Sequence, residues 1–230
     1  MEVFARNPHL LFYSVLATAI LIIRIPLIGK YFRTVNTLLH ESGHAIAAIL
    51  SSGEVINIEL SSDTSGSAYT KSGSRIKAMF VSFSGYPFAA AISGLLLALA
   101  VNHHFRWIFY LLLTVALLNL ALFVRNTYGI AWLLTFSGLI LFTFWIGNDT
   151  VSNIFALAVS LISLSESVVS TLIILYLGFS RPRKAGDVTN LAKITRIPAV
   201  IWALMISSFV TVLVYYTIVH YFPSPLQPIV

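Results

Sequence analysis

Apolar residues in this chain come in long runs with little polar interruption, and most of the charge collects in the short segments between them. Seven runs, near 9–28, 34–50, 76–101, 107–124, 129–146, 151–178 and 198–221, approach the roughly 20 residues that a helix needs to cross a bilayer core. The second is short and the sixth is long. The pattern predicts an all-α membrane protein, a polytopic helical bundle of about seven spans (six to seven), because helices satisfy their own backbone groups in lipid. The first run lacks a convincing small-residue cleavage site and is read as a span rather than a signal.

Two polar stretches interrupt the pattern. Residues 51–74 are rich in Ser, Thr and Gly. Partial alternation in Val55-Ile56-Asn57-Ile58-Glu59-Leu60, a turn-like Ser61 to Gly66 and then Ser67-Ala68-Tyr69-Thr70 predict a small β-hairpin inserted after the second run. It serves as a connector, or as an edge strand able to pair with an extended substrate. Residues 179–196 hold Arg181-Pro182-Arg183-Lys184, then Gly186-Asp187, then a helix-like Val188 to Thr195. Asp187 there reads as a helix N-cap or as a metal ligand. Otherwise residues 1–230 read as a single integral-membrane domain.

Composition agrees. The chain is 58% hydrophobic and only 10% charged, against about 25% charged in soluble domains. The net charge of +6 does not imply nucleic acid, because the cations lie in short segments at the ends of apolar runs. With seven spans, one side collects Arg6, Lys71, Arg75, Lys77, Arg125 and the cations of 179–196, while Arg24, Lys30, Arg33 and Arg106 fall on the other. This bias predicts a cytoplasmic N-terminus in a cell membrane, with the 179–196 segment also cytoplasmic. There is no cysteine, which excludes disulfides and thiolate ligands.

The chemistry concentrates in His40-Glu41-Ser42-Gly43-His44. Residues four apart share a helix face, so both imidazoles can grip one metal ion with Glu41 beside them. That is the zincin arrangement, with the carboxylate as general base on a metal-activated water. Ionisable groups are costly in a bilayer and mark function there. Ser42 and Gly43 are small and let another backbone approach. A catalytic zinc usually takes a third protein ligand. Asp187 is favoured because its segment can fold back toward the bundle. Glu166, mid-run among serines, is the rival. Asp149, His103, His104 and His220 fall at the opposite side.

These motifs resemble the site-2 protease family of intramembrane zinc metallopeptidases, and more closely its short peptidase-like branch without a PDZ domain. The resemblance rests on Leu39 to Ala45, the Gly53 to Thr70 hairpin, Ser84-Gly85-Tyr86-Pro87, Val124 to Gly129 and Gly186 to Ala192. It implies Zn2+ held by His40, His44 and Asp187, with Glu41 catalytic. Family members usually place the aspartate in a Leu-Asp-Gly or Asn-Pro-Asp-Gly motif within a span, whereas here it stands in Gly186-Asp187-Val188. Asn126, or Asn119, becomes a candidate for holding substrate backbone or an oxyanion, with helix packing as the alternative. The implied function is hydrolysis of peptide bonds in membrane-protein segments. The competing readings are a catalytically idle membrane scaffold and a metal-binding protein of the same fold.

Overall fold

The structure is a computed structural model that describes residues 8–223. Each of the seven apolar runs forms a helix. In chain order the elements are α1 (Pro8–Ile22), α2 (Ile28–Leu50), β1 (Glu54–Leu60), β2 (Gly66–Lys71), α3 (Arg75–Val101) and α4 (Phe105–Leu118). After a π-helical turn at Asn119–Phe123 come α5 (Thr127–Ile146), α6 (Asp149–Ser180), α7 (Asp187–Thr195) and α8 (Ala199–Tyr221).

Five of these helical stretches are long and apolar enough to cross a membrane: α3, α4 with its π-helical turn, α5, α6 and α8. The other two runs differ for clear reasons. α1 has 15 residues, and α2 carries Lys30, Arg33, His40, Glu41 and His44 on a partly polar helix. Arg6, counted in the charge bias, lies outside the described residues. Lys30 and Arg33 require a correction. The hydropathy pattern places them in a loop before a run at 34–50, but α2 begins at Ile28 and includes both. Apolar periodicity could not find this start, because the face it adds is polar.

α3 packs against α2, α6, α7 and α8 and so forms the centre of the bundle. Small residues make this possible. A β-carbon on Gly43 would lie 3.3 Å from the Gly85 Cα and 2.7 Å from the Phe88 Cβ, so α2 and α3 cross at their glycines. The Ser84 hydroxyl seals the crossing by donating to the Gly43 carbonyl at 3.0 Å. The main core joins Leu38 and Leu39 of α2 to Leu96, Phe109, Phe136 and Leu161. A second core holds α7: Val188 and Leu191 pack with Ile174 of α6 and with Ala199, Trp202 and Ile206 of α8.

The hairpin is antiparallel, running from Glu54 opposite Lys71 to Leu60 opposite Gly66, with a bulge between Val55 and Asn57. Asp63 accepts from the Ser65 amide (3.0 Å) and hydroxyl (2.6 Å), fixing the connecting turn. Those two bonds hold the Asp63 carboxyl below its ordinary range. The outer side of β1 is covered: Ile58 bridges Val124, and the Asn126 amide accepts from Leu60 N–H (3.2 Å) and donates to Leu60 C=O (2.6 Å).

Candidate metal centre and cleft

α2 delivers His40 and His44 one turn apart, as the helical period requires. α7 delivers Asp187 from 147 residues away in sequence. The His40 Nε2 and Asp187 Oδ2 atoms are 3.1 Å apart, His44 Nε2 and Asp187 Oδ2 3.2 Å, and the two Nε2 atoms 3.1 Å. These three donors form a nearly equilateral triangle. Tetrahedral zinc, with bonds of about 2.0–2.1 Å, wants its ligand atoms about 3.3 Å apart. The residues therefore fit such an ion within a few tenths of an ångström. Among the described residues this is the cluster able to hold a metal.

Second contacts aim the donors. His44 Nδ1 faces the Val81 carbonyl at 2.7 Å. A neutral imidazole donating there leaves the Nε2 lone pair pointing into the triangle, which is how outer contacts orient metal-binding histidines. His40 is held by packing: its ring meets His44 edge-on with centroids 4.7 Å apart and Tyr86 at 4.4 Å. Asp187 is the first residue of α7, and Gly186 occupies the N-cap position with φ +55°. The carboxylate thus does not cap its helix but turns to the imidazoles. Burial alone would raise the Asp187 pKa, yet in the ion-free site, where the imidazoles can carry protons, the charge and hydrogen bonds of His44 and His40 hold the group below the usual carboxylate range. It stays ionised, the form a cation requires.

Glu41 is buried beside this triangle. A β-carbon on Gly66, at the start of β2, would lie 2.6 Å from Glu41 Oε1 and 2.7 Å from Thr37 Cγ2. Thr37 in turn donates to the Thr64 carbonyl at 2.8 Å. The hairpin is therefore seated directly on the histidine-bearing helix. A cleft of about 930 Å³ opens over the site, with residues of α2, β2, α6 and α7 in its walls. β2 lines it from Gly66 to Thr70, and His40, Glu41, His44 and Asp187 lie within it.

The other candidates sit elsewhere or have partners. Glu166 Oε2 meets Arg33 Nε at 2.8 Å, seven residues before His40 on α2. It borders the cleft but stands outside the donor triangle. Asn126 is engaged with Leu60, as described. Asn119 donates to Ser42 Oγ (2.9 Å) and the Val115 carbonyl (2.9 Å), bracing the back of the histidine helix. His220 stacks on Tyr216. Nothing in the sequence singles out the Arg33 ion pair, the Val81 carbonyl, the Tyr86 contact or the tight seat of Gly66. Gly85, which as a lone glycine in an apolar run fits a gate or a close helix contact, makes the contact: it brings α3 against both imidazoles.

Comparison with known proteins agrees with this geometry. No curated protein and no solved structure matches the chain. The family model described as Peptidase M50B-like matches residues 13–217, a stretch that contains the histidine helix, the hairpin, α7 and most of α8. The chain belongs to the Peptidase M50B-like family, within the site-2 proteases.

Proposed function

We propose that this chain is an intramembrane zinc metalloprotease that hydrolyses peptide bonds in membrane-protein segments. The observation that carries this reading is the triangle of His40, His44 and Asp187 donors at 3.1–3.2 Å, with Glu41 buried alongside in an open cleft. His40, His44 and Asp187 hold the ion. The chemistry a bound zinc ion supplies is Lewis acidity, toward water and toward a carbonyl oxygen.

Glu41 is the general base. It takes a proton from the attacking water as the new C–O bond forms, and returns it to the amide nitrogen as the C–N bond breaks. The products are one carboxyl and one amino terminus. The cleft must hold the substrate extended, since a helix hides its carbonyls in its own hydrogen bonds. The cleft-lining strand β2 supports this, and Asn126 keeps β1 in place behind it. The substrate is a transmembrane segment or its juxtamembrane end, met within the bilayer. The whole chain is one integral-membrane unit of about seven spans in the cell membrane, with the N-terminus and the 179–196 segment on the cytoplasmic side. The Lys and Arg near the ends of the apolar runs still favour this orientation, because placing Lys30 and Arg33 in α2 leaves Arg24 and Arg106 on the opposite side.

The test is metal analysis of purified protein. We expect about one zinc per chain in wild type, lost in His40→Ala, weakened in Asp187→Ala and retained in Glu166→Ala. A wild-type protein that takes up no zinc after reconstitution overturns the proposal.

A further inference from the structure

The segment between α6 and α8 carries five cations: Arg181, Arg183, Lys184, Lys193 and Arg196. All five are exposed, and none forms an ion pair among the described residues. The one acid in the segment, Asp187, is turned inward to the imidazoles. The segment lies between two helices able to cross a membrane, one ending at Ser180 and the next beginning at Ala199. α6 has 32 residues, roughly 48 Å of helix, more than the roughly 30 Å of a hydrocarbon core. A helix this long overhangs the core, and the cations beside its Ser180 end favour headgroup depth there.

α7 is short, with nine residues and three buried side chains, Val188, Thr189 and Leu191. Gly186 and Arg196 flank it with positive φ. A nine-residue helix has little stability of its own, and five like charges close in sequence repel one another. An anionic surface relieves that repulsion, and each Lys or Arg near such a surface contributes about 1 kcal/mol.

We propose that this cationic segment seats α7 on the anionic phospholipid headgroups of the surrounding membrane, and that this seating raises metal affinity by presenting Asp187 to His40 and His44. The inference rests on the metal-centre reading above. A lipid that favours the docked helix must favour the ion, and the coupling is reciprocal.

The test uses the full chain in nanodiscs of phosphatidylcholine alone or with phosphatidylglycerol. Zinc affinity is read by competition with a chromophoric chelator. Amide exchange over residues 187–195 is read on metal-stripped protein. We expect zinc to bind at least about fivefold tighter in the anionic discs, with slower exchange in α7. Replacing Arg181, Arg183 and Lys184 together by Gln should abolish both differences. Equal affinity in the two discs overturns the inference. So does a lipid effect that survives the triple substitution, which would report zinc gathered by the lipid itself. No zinc in either disc overturns the metal-centre reading, and this inference with it.

Discussion

Gly85 of α3 lies against the His40 ring with no room for a side chain: a β-carbon there would sit 2.5 Å from His40 Cε1 and 2.6 Å from His44 Nε2. The backbone of α3 thus forms one wall of the donor triangle. Gly85→Ala must push one or both imidazoles aside. Overpacking of this kind costs about 1–3 kcal/mol, so zinc affinity should fall about 10- to 100-fold. Gly138→Ala in α5 is the control, since nothing lies within 4 Å of its β-position. Zinc titration of the two variants decides it: equal affinities would show that the helices part freely at this crossing.

Glu41 separates catalysis from metal holding. Glu41→Gln keeps the shape but removes the proposed base, and should cut cleavage of transmembrane reporter fusions by about 10²–10⁴-fold. Zinc content should stay at the wild-type level, because the glutamate lies outside the donor triangle. Full function of this variant in cells would favour the idle-scaffold reading.

The Arg33–Glu166 pair joins α2 to α6 at 2.8 Å, with Glu166 the more enclosed partner. Arg33→Leu leaves that carboxylate enclosed without its cation. Breaking a buried pair costs about 3–5 kcal/mol, and the 28% exposure of the Arg33 side chain points to the lower end. Arg33→Leu should therefore lower thermal stability in detergent, and adding Glu166→Leu should restore most of the loss. Zinc stoichiometry should be unchanged in both. Loss of zinc with Glu166→Leu alone would instead make this acid a ligand.

Asn126 acts on the hairpin through two hydrogen bonds to one residue, Leu60. Asn126→Ala removes both, at about 0.5–1.5 kcal/mol each. Amide exchange at Leu60 should quicken about 10-fold or more, while measured zinc content should match the wild type. Unchanged exchange would mean that the Ile58–Val124 bridge alone holds the edge of β1.

The sequence by itself determined the helical membrane class, the positions of the apolar helices and the histidine pair. Each of these is written in local order. Apolar runs of sufficient length must be helical in lipid, and a spacing of four puts His40 and His44 on one face. The hairpin was legible for the same reason, from turn residues between alternating strands, to within a residue or two at each end. Tertiary structure alone decided which acid completes the triangle. Asp187 and Glu166 are both far from His40 and His44 along the chain. The packing of Val188 and Leu191 against α6 and α8 brings Asp187 to the imidazoles, while Arg33, in the first turns of α2, engages Glu166. A close helix contact at Gly85 is legible in the sequence, but the atoms it meets and the seat of Gly66 are not, because a glycine declares what it makes room for only when the neighbouring chain is in place.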